Sequence, residues 1–550
     1  MGRPPKDLES HKELILSLLS QRTEHDEIRR ILSIQRGLKI GDSVLRKHIK
    51  AWGKSRGDIP PCRDEKLRDS LIMFLFLKQN ANEEEILVHL EFQDLAVTPR
   101  KLRRLRIDMG LRRRRKLKDA RFQDEEIIRI MKEHLSEGVI GDWGLTHLYA
   151  YFRRNNIIIS RDDIMYGLRV VDPAGVSRRY QKKQHRRKKF LVEGPNAIWS
   201  LDAHCKVEIV GIQIYAVIDA YSRKIIWIYV GISARTAVSV VKQFLEFMKE
   251  HKIMPDRFRS DRGTETILIA DAFHQLCGAQ EDRSEENCAI DKCWMFGKST
   301  ANQRIEAWWM QLQSSMLNRW VIFFDLLKEE KLFKKDKLAD MVAVYAIYMP
   351  LIREACYEFV TNWNVHKIRA QKNRPHVTAG KPWFLYAHPS APAVECGSVP
   401  DPSLVDTLHQ EVEAYDLHEY LPAATLEWCH ERMRSLGFDP ATLTAKGLLK
   451  EEGLGRRAHG YVFGLLRGEV QQHLNAGNKD PILSLIETPK GAGSWKPSAE
   501  AERAFNDARR GEEPEEFMDH LTDQLDDVLV ESDDKNYPWE AYASVDDEEG

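Results

Sequence analysis

Three short apolar runs rich in β-branched residues constrain the fold of this chain more than any other feature. The runs cover residues 198–210, 212–221 and 224–232. Only Gly211 separates the first run from the second, and the pair Ser222-Arg223 separates the second from the third. Strand-like runs joined by such short turns pair with their neighbours in sequence. The spacing therefore predicts a three-stranded antiparallel meander.

Helical and strand-like patterns alternate after the meander. The pattern predicts helices over 235–251 and about 266–277, strands at 257–260 and about 290–296, and a long helix from about Asn302. Helical sequence then continues to about residue 365. Strands followed by alternating helices and strands are typical of an α/β fold with a mixed sheet.

The front half of the chain contains three similar helical units. Each ends in a short basic helix, at 40–53, 97–110 and 159–175. Asp42, Thr98 and Ser160 stand at the expected N-caps, where a side-chain oxygen accepts a free backbone N–H. Amphipathic helical sequence precedes each of these helices, which is the helix-turn-helix arrangement. A plain helical bundle is the alternative for any single copy.

Charge is distributed very unevenly, although the formal net charge of the 550 residues is only −1. Residues 1–200 hold 43 Lys and Arg against 28 Asp and Glu, whereas residues 501–550 hold 4 against 18. A basic front half implies a polyanionic partner, most simply DNA. The predicted DNA-binding residues are Arg103, Arg104, Arg112, Arg113, Arg114, Arg115, Arg186, Arg187, Lys188 and Lys189. The basic run 178–189 also resembles a nuclear-import signal, so we expect a nuclear protein.

Composition excludes several other classes of protein. An apolar fraction of 43% is ordinary for globular domains and excludes wholesale disorder. No stretch approaches the roughly 18 uncharged apolar residues that a membrane span needs, so we expect no membrane partner. Eight cysteines without a repeating spacing argue against a disulfide scaffold. We expect a soluble intracellular protein.

The chain is predicted to be a multidomain α + α/β protein. The predicted parts are helix-turn-helix units at 1–58, 62–118 and 119–190 (the last with a polybasic linker), an α/β core with trailing helices at 191–387, a helical C-terminal module at 403–495 and an acidic, disordered tail at 497–550.

Three acidic residues stand out by position within the predicted α/β core. Asp202 lies in the middle of the first strand, Asp261 directly follows the fourth strand, and Glu306 lies near the start of the long helix. A carboxylate in an apolar strand is unfavourable unless it is paired, exposed or bound to a metal. Ligands of open α/β sheets bind at the carboxyl ends of the strands. We therefore expect the three carboxylates to converge on Mg²⁺ or Mn²⁺, the cations that oxygen ligands favour.

Other polar residues of the core have plainer interpretations. Asp219 is a rival carboxylate, but its place before Ser222 is more typical of a hairpin turn. Gly263 is expected to permit a tight turn beside Asp261, and residues 297–302 form either a mobile loop or a linker. Within an extra segment, 278–294, two cysteines suggest a zinc site. Its candidate ligands are His274, Cys277, Cys288 and Cys293, although core or loop cysteines are the more usual interpretation.

At these residues the sequence resembles the retroviral-type integrases and related DDE transposases. The resemblance rests on NAIWSLDAHCK, AVIDAYSRKII, RSDRGTE and NQRIEAWW, and continues through WNVHKIR and GKPWFLY to about residue 387. It is strongest to eukaryotic, Ginger-like, transposon-derived integrase-core proteins. It implies a ribonuclease-H-like catalytic core, two divalent metal ions (Mg²⁺ or Mn²⁺), DNA strand transfer and a homo-oligomer. Asp202, Asp261 and Glu306 match the catalytic, metal-binding triad of that family.

The sequence thus predicts a transposon-derived polynucleotidyl transferase that cleaves and joins DNA. The alternative is a domesticated, catalytically inactive DNA-binding or scaffold protein that retains the integrase fold. A ribonuclease-H-like nuclease is a third hypothesis, which the integrase-type motifs disfavour.

Overall fold

The computed structural model divides the chain into two compact units, residues 1–113 and 114–550. The residues that it describes are 8–20, 28–29, 31–32, 38, 40, 42–52, 65–112, 124–136, 140–173, 176, 192–280, 283–284, 288–297, 302–370, 378–444, 459–477, 480–487 and 495–510.

The first unit is helical throughout its described part. Its α-helices are α1 (Lys12–Ser20), α2 (Asp42–Ala51), α3 (Glu65–Leu77), α4 (Glu83–Phe92) and α5 (Pro99–Asp108). Asn82 and Glu85 form a reciprocal capping box at the start of α4, and Thr98 caps α5 through the backbone N–H of Lys101. Within the described residues the predicted helices are confirmed, while their helix-turn-helix role remains a prediction.

The second unit is built on a mixed five-stranded sheet. Its strands are β1 (Ile198–His204), β2 (Gln213–Asp219), β3 (Ile225–Gly231), β4 (Arg257–Ser260) and β5 (Trp294–Phe296). Their order is β3-β2-β1-β4-β5, with β1, β2 and β3 antiparallel and β1, β4 and β5 parallel. The predicted meander is confirmed, and this sheet is consistent with a ribonuclease-H-like core.

Helices cover both faces of the sheet. The helices of this unit are α6 (Asp124–Ser136), α7 (Leu145–Arg154), α8 (Arg161–Val171), α9 (Ala237–His251), α10 (Ile267–Gly278), α11 (Ile290–Cys293), α12 (Gln303–Leu312), α13 (Asn318–Glu329), α14 (Leu338–Val365), α15 (Pro382–Ala387), α16 (Pro402–Gln410), α17 (Ala423–Ser435), α18 (Gly460–Asn475) and α19 (Ala499–Arg510). A π turn, Gln313–Leu317, joins α12 to α13. Because side chains alternate along a strand, Tyr215 and Val217 pack with α9 and α10, whereas Ile214 and Ala216 pack with α12 and α14.

The third predicted helical unit shares its hydrophobic core with the sheet domain. Leu148 and Phe152 of α7 belong to the same buried cluster as Phe359 of α14. Arg154 pairs with Glu358 at 2.9 Å across this contact. The predicted boundary near residue 190 therefore does not separate two cores, because α7 packs directly against the core helix α14, and α6 and α8 belong to the same buried cluster.

The C-terminal helices also pack onto the core. Trp428 and Phe463, from α17 and α18, join the cluster around α14, while Val405 of α16 joins the cluster around α9 and α10. Helix α19 lies inside the predicted disordered tail, so that prediction was wrong for residues 499–510. Ala501 packs against the α9–α10 side of the core, which explains why this segment is helical.

The predicted strand at about 290–296 is half correct. Residues Ile290–Cys293 form one helical turn, and only Trp294–Phe296 pair with β4. None of the helices in the described ranges has the length and apolarity needed to span a membrane.

Candidate active site

Asp202 and Asp261 occupy matching positions on neighbouring parallel strands. The register pairs Ser200 of β1 with Arg259 of β4. Each aspartate comes two residues later in its strand direction, so the two lie side by side at the carboxyl end of β4. Adjacent strands are about 4.8 Å apart. The sheet topology therefore brings together two carboxylates that are 59 residues apart in the sequence.

Two fixed donors hold the carboxylate of Asp202. The backbone N–H of Ala203 donates to its Oδ1 at 2.8 Å, and Nε1 of Trp309 donates to its Oδ2 at 2.9 Å. Burial raises the pKa of Asp202 well above its usual range, and the negative charges of Glu306 and Asp261 raise it further. This like-charge effect places the three predicted acidic residues within electrostatic reach of one another.

Helix α12 sets the position of Glu306. Asn302 precedes the helix, and its Nδ2 donates to the carbonyl of Leu201 at 2.8 Å. Seven residues later, Trp309 contacts Asp202. Residues spaced by three or four positions share one helix face, so Glu306 lies on the face that points at the end of β1. The side chain of Trp309 also stacks on His204, with ring centroids 4.8 Å apart.

A compact turn orients Asp261. The backbone N–H of Gly263 donates to Oδ1 of Asp261 at 3.0 Å, and its carbonyl accepts from both the N–H and the Oγ1 of Thr266. A Cβ at position 263 would overlap the carboxylate of Glu265. That carboxylate is the end of a flexible side chain that can move aside, and the φ of −68° at Gly263 is open to any residue, so the predicted tight turn is present without requiring glycine.

Glu265 is a fourth carboxylate beside the site, which the sequence analysis did not identify. Its side chain is buried, and burial raises its pKa, with a further contribution from Asp261. Burial raises the pKa of the Tyr215 hydroxyl, and the negative charges of Glu265, Asp202 and Asp261 raise it further. The sequence shows only that Glu265 follows Asp261 by four residues, in the same predicted turn.

The donor set suits a hard divalent cation, because Asp202, Asp261 and Glu306 supply only carboxylate oxygens. Their mutual repulsion is relieved when a cation is bound. Among the residues that the structure describes, however, no group of three or more His, Cys, Asp or Glu side chains is arranged to hold a metal ion. The triad therefore has the right chemistry, but its oxygens are not gathered around one point, and its metal-binding role stays a prediction.

Asp219 has a structural role, as the sequence indicated. Its carboxylate accepts hydrogen bonds from the backbone N–H of Asn196 and from the N–H and Oγ of Ser222, at 2.6 to 2.8 Å. Burial raises its pKa to about 6. These contacts close the β2–β3 hairpin and tie it to the start of β1.

The three cysteines of the suggested zinc site are buried thiols. Sγ of Cys288 donates to the carbonyl of Cys277 at 3.1 Å, and Sγ of Cys293 donates to the carbonyl of Ile290 at 3.8 Å. His274 instead lies 3.7 Å from Glu500 of α19. Across the described ranges these side chains form no metal-binding group, which favours the interpretation as core cysteines.

Most of the predicted DNA-binding residues lie outside the described residues: Arg113, Arg114, Arg115, Arg186, Arg187, Lys188 and Lys189. Arg103 and Arg104 are both on α5, with 52% and 85% of their side chains exposed. Arg103 pairs with Glu83 at 3.0 Å, whereas Arg104 lies 3.9 Å from the exposed Asp108. Arg112 is half-buried just after this helix.

Comparison with known proteins bears on the second unit. Residues 189–383 match the family model of the integrase core domain. The matched region begins and ends within a few residues of the predicted core, 191–387, and it contains the whole sheet and all three candidate acidic residues. No curated protein matches the chain. Residues 189–383 thus form an integrase- or transposase-type core.

Proposed function

We propose that the protein is a transposon-derived integrase that cleaves DNA strands and transfers them with the help of divalent metal ions. The observation that carries this proposal is the placement of Asp202 and Asp261 at neighbouring positions of the β1–β4 pair, with Glu306 of α12 within electrostatic reach. The integrase-core match over the same residues supports it. The Ginger-like descent suggested by the sequence is part of the proposal.

In this proposal Asp202, Asp261 and Glu306 would hold two Mg²⁺ or Mn²⁺ ions. Such ions, when bound, activate the attacking oxygen and stabilise the leaving oxygen in phosphoryl transfer. The chain itself orients the ligands: Trp309 and the N–H of Ala203 fix Asp202, and the N–H of Gly263 fixes Asp261. Carboxylates that the fold already holds in place would lose little conformational entropy on binding the metal ions. More of the binding free energy would then remain for positioning the DNA.

The first experiment tests the reaction itself. The full chain is incubated with labelled duplex ends in the presence of Mg²⁺, Mn²⁺ or a chelator. We expect metal-dependent release of nucleotides from 3′ ends, followed by joining of the new 3′-OH ends to a second duplex, in which each attack displaces a 3′ oxygen of the target strand; the chelator should abolish both steps. An RNA strand in an RNA–DNA hybrid serves as the comparison substrate. Cleavage of that strand alone would replace the proposal with the nuclease hypothesis.

The alternative is a domesticated DNA-binding or scaffold protein without turnover. The additional helices α16–α19, which pack on the core, favour an added structural role. In that case the chain would bind the same duplexes with a strong salt dependence but process none of them with either metal.

We further propose that the basic front half binds DNA, that the chain forms a homo-oligomer and that it acts in the nucleus. The charge excess of residues 1–200 supports DNA binding, and the run at 178–189 supports nuclear import. Light scattering of the DNA complex tests the oligomer. Imaging of a tagged chain, with and without Arg186–Lys189, tests the location.

A further inference from the structure

The segment that carries α19 is attached to the core through a buried carboxylate. Asp271 of α10 is 1% exposed, and both of its oxygens accept hydrogen bonds from this segment. Nε1 of the buried Trp495 donates to Oδ2 at 2.9 Å, and the backbone N–H of Ser498 donates to Oδ1 at 3.0 Å. A buried carboxylate is unfavourable without such donors. The attachment of residues 495–510 to α10 is therefore specific.

Helix α19 lies beside the sheet edge that holds the candidate acidic residues. Phe505 is 5% exposed, and its ring centroid lies 5.8 Å from that of Phe296. Phe296 is the last residue of β5 and pairs in register with Ser260, which directly precedes Asp261. These contacts, together with the spacing of strands and the rise of a helix, limit the distance from Arg510 to Asp261 to roughly 30 Å. The chain thus leaves α19 within reach of the candidate active site.

The sequence that follows α19 is strongly acidic. Residues 511–550, which we call the acidic tail, lie outside the described ranges and hold 16 Asp and Glu against a single Lys. A chain of this length extends to at most about 140 Å, so the tail is long enough to cross the whole edge of the sheet. Because its first residue is held near that edge, its effective concentration there is on the order of millimolar.

Exposed cations stand at the same edge of the sheet. Lys206 follows β1, and Arg235 follows β3, which is parallel to β1 because both pair with β2 in antiparallel fashion. Both strands end at the edge that holds Asp202 and Asp261, which we call the site edge. Lys206 is exposed, and Arg235 is 59% exposed although it lies 3.6 Å from Glu208. Such cations can bind either DNA phosphates or the carboxylates of the acidic tail.

We propose that α19 anchors the acidic tail so that the tail covers the cations of the site edge and competes there with DNA. This inference rests on the proposed function, because that function assigns the same edge to DNA. A tail that served only for solubility would need no buried anchor, whereas a weak competitor must be held near its target. Duplex DNA, with one charge per about 1.7 Å, displaces the tail when enough DNA is present.

Carbodiimide cross-linking tests the placement of the tail without any need for DNA binding or activity. The reagent joins a carboxylate to a lysine amine as an amide and leaves as a urea. Mass spectrometry of the digested full chain then identifies the linked residues. We expect tail cross-links to Lys206 that decrease about fivefold in 1 M salt, where the Debye length is about 3 Å. Lys252 is the matched control, since it is exposed between α9 and the start of β4, at the opposite edge.

Duplex binding in a chelator tests the competition. Replacing the 16 carboxylates of the tail by amides keeps its length and should raise duplex affinity about tenfold at low salt. That is the effect of a contact with a Kd of about 0.1 mM at millimolar effective concentration. Phe505→Ala, which removes the contact with Phe296, should give part of this gain. Tyr461→Ala, which removes a ring that is 61% exposed on α18, should give none.

Each result decides a different claim. Equal tail cross-linking of Lys206 and Lys252, or tail cross-links confined to residues 1–113, would overturn the placement whether or not the chain processes DNA. Cross-linking to Lys206 with an unchanged duplex affinity of the amide variant would overturn the competition. If neither chain binds duplex, the DNA-binding part of the proposed function fails and the competition fails with it, while the cross-links still decide the placement.

Discussion

Single residues around Asp202 decide whether its carboxylate is ready to bind a cation. Two hydrogen bonds attach α12 to β1, one on either side of Glu306. Asn302 donates to the carbonyl of Leu201, and Trp309 donates to the carboxylate of Asp202. The three acidic residues could be identified from the sequence, because a carboxylate in an apolar strand is unfavourable unless it is paired, exposed or bound to a metal. The sequence did not identify Trp309, because a tryptophan in an amphipathic helix is ordinarily a core residue and only the fold shows where its N–H is directed.

Trp309→Phe is expected to weaken cation binding about tenfold, the usual size of the effect when a group that orients a metal ligand is removed. The substitution keeps a ring to stack on His204 but leaves Oδ2 of Asp202 without its donor. Mn²⁺ binding followed by electron paramagnetic resonance measures the change directly. Trp308→Phe is the matched control, because Nε1 of Trp308 has no hydrogen-bond partner among the residues that the structure describes. Equal losses in both variants would mean that only packing was disturbed.

Secondary-structure elements were predicted well wherever amphipathic spacing was long. The helices 235–251 and 266–277 and the strand 257–260 agree with α9, α10 and β4 to within two residues. The segment at 290–296 was harder, because a short apolar run fits one helical turn and an edge strand equally well. Hydrophobic periodicity indicates which face of a helix is buried, but it does not identify the element that covers this face. The packing of α6–α8 and α16–α19 onto the core was therefore not predicted.

A pair of buried histidines joins two of these elements. His147 of α7 stacks on His366, which follows α14, with ring centroids 4.2 Å apart, and Asn362 donates to the carbonyl of His147 at 3.1 Å. Burial lowers the pKa of His147 well below its usual range and lowers the pKa of His366 to about 4. Both rings are therefore neutral when the two elements are packed together.

Stability should consequently fall as pH drops below about 6.5, where the histidines of the unfolded chain begin to bind protons and the buried pair does not. The loss continues down to the folded pKa values, about 4 for His366. Each histidine contributes up to about 1.4 kcal/mol per pH unit. His147→Phe keeps a ring at the contact and should flatten the dependence of the unfolding free energy on pH by about one proton. Urea unfolding between pH 4.5 and 7 measures this slope, and parallel slopes for the variant and the wild type would contradict the assignment.

At the scale of the whole molecule, the chain pairs a basic front half with an integrase-type core. The first unit and the linker residues that follow it carry most of the predicted DNA-binding arginines, whereas the candidate chemistry lies in residues 189–383. We therefore expect substitutions in the two regions to change DNA affinity and reaction rate independently. The α/β class of the core was predictable from the pattern of strands and helices, and its integrase type from the resemblance of motifs such as RSDRGTE and NQRIEAWW.

Replacing Arg112–Arg115 with glutamine in the full chain should weaken duplex binding without changing sequence preference. Each phosphate contact that is lost should reduce the slope of log K against log salt by about 0.9. Fluorescence anisotropy at a series of salt concentrations gives the slope. An unchanged slope would show that these arginines do not contact DNA.

Asp261 is the residue on which the proposed catalytic metal site depends most. The direct measurement compares the wild type with Asp261→Asn on labelled duplex ends in Mg²⁺ and Mn²⁺, with duplex affinity and unfolding followed in parallel. The substitution keeps the side-chain shape but removes one charge, so we predict a loss of activity of about a hundredfold or more. Affinity should stay the same, and stability without metal should be equal or higher, because repulsion among the carboxylates is relieved. Full activity in the Asp261→Asn chain, or activity that persists in a chelator, would contradict the account.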